Sequence, residues 1–262
     1  MAEFTVFYSW QSDLPRKLSR DVIHRAAFSA VSRMQLDAAI EDSPRLDHDT
    51  KEIAGTPDIS GTIFQKIDDC AIFIADLTFV GESISQDGGR QPKKFPNPNV
   101  LLELGYAAAR VGWHRVILIM NTAHGDPSEL IFDLRNRRFP LTFTLSDLTR
   151  REVSSIEASL SARIEEAIRS TIQAEHSAVK AAISKLDVHA LVCIGEQSKH
   201  ERFSIDLPTT MGQVVGYQRR DDALVRLIEL GLIRCEISTQ KETHLYYWTH
   251  FGKLVQKQLA NS

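Results

Sequence analysis

Short runs of consecutive apolar residues alternate along this chain with longer stretches in which apolar positions recur at helical spacing. The run Phe4-Thr5-Val6-Phe7-Tyr8-Ser9 has the length and β-branched content of a buried strand. From Pro15 to about Gln35, Leu18, Val22, Ala26, Ala30 and Met34 mark one face of a helix. Residues 45–57 have loop composition, after which Thr56-Pro57 opens a helix whose inner face is Ile59, Ile63, Phe64 and Ile67. Cys70 to Ala75 is apolar throughout and stops at Asp76, as expected of a strand covered on both faces of a parallel sheet. Residues 79–97 lack periodicity and read as one long connection. Asn97-Pro98-Asn99 then caps a helix running to about Val111, and strands follow over Arg115–Met120 and Phe139–Phe143. The alternation spells an α/β domain built on a parallel sheet of about five strands.

Beyond Arg151 the pattern is helical to about Lys185, with no strand signal, and it then changes character. A helix over Asp187–Ile194 is followed by one over Arg219–Leu230, in which Ala223, Leu224, Leu227 and Ile228 share a face that ends at Gly231. Two short strands, 232–237 and 243–248, and a closing helix from Phe251 to Leu259 complete the chain. Helix, helix and β-hairpin is the order of a winged helix-turn-helix, so the expected division is an α/β domain over 1–175 and a small α+β, winged-helix-like domain over 176–262.

Composition narrows the function classes. With 262 residues, 43% hydrophobic and 25% charged, the chain can bury two cores. A net charge of −3 argues against a protein whose main task is to coat nucleic acid. Residues 181–262 carry 10 Lys/Arg against 9 Asp/Glu, so DNA binding by the second domain is not favoured and a protein contact is expected first. Cys70, Cys193 and Cys235 lack disulfide or zinc spacing. No secretory or membrane-spanning pattern is present, and the expected location is cytoplasmic, with no membrane partner.

Ligands of parallel α/β sheets bind outside the carboxyl ends of the strands. The segments there are Ser9-Trp10-Gln11-Ser12-Asp13, Asp76-Leu77-Thr78-Phe79 and Asn97 to Tyr106. Asn99 and Glu103 lie four apart on one helix face, with Tyr106 and the small Ala107 a turn beyond. A carboxylate in the first turns of a helix is favoured in its ionised form, and an ionised carboxylate can stabilise the positive charge that develops when a ribosyl bond breaks. Trp10 offers a face for stacking a planar base. Each position also has a structural role open to it: dipole compensation for Glu103, loop capping for Asp76, and core anchoring for Trp10. Arg135, Arg137 and Arg138 read more readily as an exposed basic turn than as a phosphate grip.

Phe7-Tyr8-Ser9-Trp10-Gln11-Ser12-Asp13, Gly55-Thr56-Pro57-Asp58-Ile59, Ala75-Asp76-Leu77-Thr78 and Asn97-Pro98-Asn99-Val100-Leu101-Leu102-Glu103-Leu104-Gly105-Tyr106-Ala107 together resemble the blocks of a bacterial TIR-like family over roughly residues 3–150. The Asp-Leu-Thr and Asn-Val…Glu-Leu-Gly blocks are also similar to those of nucleoside 2-deoxyribosyltransferases. The resemblance implies a flavodoxin-like, doubly wound sheet and cleavage of an N-glycosidic bond. It places the helix glutamate required for NAD cleavage at Glu103. It differs from animal and plant TIR domains in carrying Trp10-Gln11 after the first strand.

The resulting expectation is an effector of bacterial antiphage defence that releases nicotinamide from NAD, giving ADP-ribose or a cyclised product. Glu103 is the catalytic residue, and Ser9, Trp10, Gln11, Asp76, Thr78, Asn97 and Asn99 contact substrate. NAD serves as substrate; no cofactor or metal is expected. Activation is expected through homo-oligomer assembly, with a protein or ligand trigger acting on the C-terminal module. Two alternatives stay open: a non-catalytic nucleotide-sensing signalling or DNA-binding regulator, and a nucleoside glycosidase or deoxyribosyltransferase-like enzyme.

Overall fold

A computed structural model of the chain describes residues 4–37, 44–48, 59–83, 92–137, 139–146, 150–204, 211–238 and 243–261. It divides into two compact units, Met1–Thr171 and Ile172–Ser262.

The first unit is built on strands β1 (Phe4–Ser9), β2 (Pro44–Asp47), β3 (Ile72–Asp76), β6 (Val116–Asn121) and β7 (Leu141–Phe143). Their order in the sheet is β2-β1-β3-β6-β7, and every neighbouring pair is parallel. This is an α/β unit consistent with a flavodoxin-like arrangement, because the strand order reverses between β1 and β3.

Strand parity decides which helix covers which face. Phe7, Phe73, Ala75, Leu118 and Met120 join Ile67 of α2 (Ile59–Asp69), Val100, Leu104 and Ala107 of α3 (Pro98–Arg110) and Leu134 of α4 (Phe132–Arg135) in one core cluster. Val6, Tyr8, Ile72, Ile74 and Ile119 have the opposite parity and are fully buried. Their face is covered by α1 (Arg20–Gln35) and α5 (Arg150–Ile183), which are tied together by Arg25–Glu157 and Arg33–Glu165 ion pairs. The β3 strand is buried at all five positions, as its unbroken apolar run requires.

Two expectations are corrected. Residues 45–47, read as loop, belong to β2, whose Phe4↔Pro44 to Phe7↔Asp47 register extends the sheet beyond β1. A four-residue edge strand with Arg and Asp in it carries no apolar run, and the open edge of β1 supplies its hydrogen bonds. The long connection over 79–97 contains a two-stranded antiparallel hairpin, β4 (Phe79–Glu82) with β5 (Lys94–Pro96). Thr56-Pro57, expected to open α2, lies outside the described residues.

The unit boundary falls within α5, whose Val179 and Ala182 belong to the core of the second unit. That unit contains α6 (Val188–Gln197), β8 (Arg202–Phe203), α7 (Met211–Glu229), β9 (Ile233–Ser238), β10 (Thr243–Trp248) and α8 (His250–Ala260). The antiparallel sheet runs β8-β10-β9. Helix α7 begins eight residues before the Arg219 start read from the pattern, and β8 carried no periodic signal because it is two residues long. Ala223, Leu224 and Leu227 are buried, whereas Ile228 is 42% exposed, so the inner face of α7 is narrower than expected. Gly231 has φ +69, the left-handed conformation that ends a helix at little cost only in glycine. A side chain at Gly252 would run into the Leu232 carbonyl at 2.0 Å, so glycine is what lets α8 start against β9.

Candidate functional site

The carboxyl ends of β1 and β3 flank the point where strand order reverses, and chemistry-bearing side chains gather there on both faces of the sheet. On the α3 face, Ser9 ends β1 and Glu103 lies in the second turn of α3. The Ser9 hydroxyl donates to Glu103 Oε2 at 2.5 Å across 94 residues of sequence. Val100, Leu104 and Ala107 anchor α3 in the core, which leaves Glu103 half-buried at the edge of that core. Ala107 is fully buried and packs inward rather than opening space beside the carboxylate. Burial raises the Glu103 pKa above its ordinary value, and the Ser9 hydrogen bond opposes the rise.

The start of α3 is held from two sides. Asn97 Oδ1 accepts from the Asn99 amide at 2.8 Å and the Val100 amide at 3.2 Å, which is an N-cap. Its Nδ2 donates to Asp13 Oδ2 at 2.5 Å, tying the cap to the loop after β1. Asn97 thus uses both ends of its side chain in positioning α3, while Asn99 is exposed. Tyr106, one turn beyond Glu103, packs on Phe64 and donates to Asp68 at 3.0 Å.

On the α1 face the polar groups are buried and joined to one another. Asp76 is fully buried; Oδ2 accepts from Ser19 at 2.5 Å and Oδ1 from the Thr78 amide at 3.0 Å. Thr78, also fully buried, accepts from the Asn121 amide at 3.0 Å. The Asn121 side chain donates to Leu18 O at 2.8 Å and Leu145 O at 2.7 Å, and accepts from the Leu145 amide at 2.9 Å. These contacts clasp the loops that follow β1, β3, β6 and β7. Burial raises the Asp76 pKa, with the bonds from Ser19 and Thr78 opposing it. Gln11 Oε1 accepts from the Leu14 amide at 3.0 Å; its Nε2 meets no partner at hydrogen-bonding geometry among the described residues but lies close enough to favour the Asp76 carboxylate. The neighbouring Tyr8 hydroxyl is fully buried and unpartnered among the described residues.

Trp10 lies between these regions in sequence but belongs to the α1 side. Its Nε1 donates to His48 O at 2.8 Å, and the Arg20 guanidinium sits 3.2 Å above its ring centroid. That ring face is therefore covered by a cation and not open to a base. Arg137 lies 3.8 Å over Trp113 and Arg135 5.5 Å over Phe132, so the basic turn rests on aromatic surface; Arg138 lies outside the described residues.

Of the residues singled out from sequence, the structure brings Ser9 together with Glu103, and Gln11 together with Asp76 and Thr78. Ser19 and Asn121 were missed. Asn121 closes β6 at the same edge as Ser9 and Asp76 close their strands, and the strand-end rule applied there would have found it. Ser19 carried no such signal, because its partner lies 57 residues away. Among the described residues no cluster of His, Cys, Asp and Glu could hold a metal ion, and no helix is long and apolar enough to cross a membrane.

No known family model matches the chain, and no curated protein is similar to it. The family resemblance thus rests on its motif blocks alone.

Proposed function

We propose that this chain cleaves the N-glycosidic bond between ribose and nicotinamide in NAD, with Glu103 as the catalytic carboxylate. The observation that carries the reading is the half-buried Glu103, held by the Ser9 hydroxyl at the carboxyl edge beside the strand-order reversal. The bond from ribose C1′ to the pyridinium nitrogen breaks with its electron pair going to nitrogen, so nicotinamide leaves neutral. Positive charge builds on the ribose, and the ionised Glu103 stabilises it where water is partly excluded. Water then adds at C1′ and loses a proton, giving ADP-ribose, or a ring nitrogen of the adenine adds in its place. Ser9 holds the carboxylate in one orientation and favours its charged form. Asn97, through its cap, and the Asp76 clasp hold the two sides of the site in register.

The second unit is proposed as a winged-helix-like module that serves assembly or a protein trigger. Its near-balanced charge supports that, as do Val188, Leu191 and Val192, which leave an apolar stripe exposed on α6.

The test is nicotinamide release from NAD by the full-length protein, at high concentration and with candidate activators, beside Glu103→Gln. Release by the wild type that the variant lacks is the expected result. Cleavage of nucleosides but not NAD would point to the deoxyribosyltransferase-like chemistry, and equal turnover by Glu103→Gln would overturn the assignment.

A further inference from the structure

Ser9, Gln11 and Asp13 alternate along the end of β1 and the loop after it, and each side chain makes a hydrogen bond. Gln11 is buried and braces the turn from within by accepting from the Leu14 amide at 3.0 Å. Ser9 and Asp13 instead reach across to α3 and its cap. Ser9 donates to Glu103 in the second turn, and Asp13, on the exposed outside of the loop, accepts from Asn97 Nδ2 at 2.5 Å. Asn97 and Glu103 are six residues apart, about 9 Å along a helix axis at about 1.5 Å per residue. One hydrogen bond fixes a point on a helix and leaves it free to pivot; a second, more than a turn away, also fixes its tilt. Asn97 can act as a strut because its other end, Oδ1, accepts from the Asn99 and Val100 amides. Packing of Val100, Leu104 and Ala107 holds α3 on the sheet, but apolar contact is non-directional and sets the placement of Glu103 less sharply than hydrogen bonds do.

Resting on the reading of Glu103 above, we propose that Asp13 is a positioning residue for the cleavage: through Asn97 it sets the start of α3 against the end of β1, so that Ser9 meets the Glu103 carboxylate in a single orientation. Among the described residues the hydrogen-bond partner of Asp13 is Asn97, so its influence on Glu103 passes through the helix. The Glu103 carboxyl itself responds to burial and to Ser9, and Asp13 is not among the groups that shift it. Small displacements matter at such a place, because a misplacement of about 1 Å in a reacting group can cost about 10²-fold in rate. A loop that ties α3 at two points therefore keeps the carboxylate aimed at the reacting ribose.

The full chain is compared as wild type, Asp13→Ala, Asp13→Asn, Asn97→Ser and the double variant Asp13→Ala/Asn97→Ser, with Ser9→Ala as the reference. The Glu103 carboxyl is titrated by carbon-13 NMR, assigned through Glu103→Gln, and kcat and KM for NAD are measured separately. Loss of the tie should weaken the Ser9 bond that opposes the rise in the Glu103 pKa, so Asp13→Ala should move that pKa up, part of the way to its value in Ser9→Ala. The sign is diagnostic, because deleting a nearby negative charge acts the other way and lowers a carboxyl pKa. In the same variant kcat should fall about threefold, with KM changed by less than about twofold. Asp13→Asn keeps an acceptor for Asn97 Nδ2 and should retain the wild-type kcat. Asn97→Ser keeps a helix cap but loses that donor; it should behave as Asp13→Ala does, and the double variant should add nothing further. An unmoved or lowered Glu103 pKa in Asp13→Ala would overturn the proposal, as would an unchanged kcat in a protein that cleaves NAD. A raised pKa in a protein that never cleaves NAD would sink the catalytic reading instead and leave the tie between Asp13 and α3 standing.

Discussion

Two carboxylates sit at the carboxyl edge of the same sheet, and their surroundings differ in kind. Asp76 is fully buried and meets donors from Ser19 and Thr78, with the Thr78 hydroxyl and Asn121 extending the network to four loops. Glu103 is half-buried and has one described hydrogen-bond partner, Ser9. Burial raises both pKa values, so desolvation alone does not distinguish them. What distinguishes them is spare capacity. A carboxylate with its lone pairs engaged inside a closed network holds structure together, whereas one with free lone pairs and access to solvent can meet a developing charge.

The sharpest way to break this comparison is to neutralise Glu103. Glu103→Gln should lower NAD turnover by about 10³-fold, roughly 4 kcal/mol of transition-state stabilisation, while the urea midpoint barely moves. A large loss of stability with retained turnover would reverse the roles assigned to the two carboxylates.

Asp76→Ala should do the opposite, stranding the Ser19 hydroxyl and the Thr78 amide at about 1–3 kcal/mol each, read as a lower unfolding midpoint. Its pH dependence has a definite sign. A carboxyl whose folded pKa is raised contributes stability that is fully present below its unfolded pKa and is lost as pH rises through the folded pKa. Stability attributable to Asp76 should therefore fall on moving from acid upwards across and above the ordinary aspartate range. Asp76→Asn, which keeps the acceptor for Thr78, should flatten that dependence in unfolding measured at several pH values.

A smaller effect sharpens the account of Glu103. If the ionised form is the working one, activity falls as pH drops through its raised pKa, so the acid limb of the rate profile should lie above the ordinary glutamate range. Ser9→Ala removes the bond that opposes the rise. The limb should then move to higher pH, with turnover at neutral pH down about tenfold, near 1.4 kcal/mol. An unmoved limb would show that Ser9 does not tune the carboxylate.

Smaller still is the cap. Asn97→Ala should cost about 1 kcal/mol of stability through the loss of the N-cap. Exposed Asn99→Ala should cost under about 0.5 kcal/mol, and any change in its KM for NAD would mark it as a substrate contact.

Periodicity and composition alone determined the strongest elements. The apolar run before Asp76 could only be satisfied by burial on both faces, and the Asn97-Pro98 pair marks a helix start through local capping chemistry that needs no distant partner. The place of Glu103 in α3 was legible for a similar reason, since helix spacing is local. The edge strand β2 was not, because four residues with no apolar run become a strand only when β1 presents an open edge. Tertiary structure alone decided that Ser9 meets Glu103 across 94 residues, that Asp76 turns inward to Ser19, and that Arg20 covers the Trp10 face a base was expected to use. These outcomes depend on which helix lands on which face of the sheet, and residue spacing along the chain carries no record of distances across it.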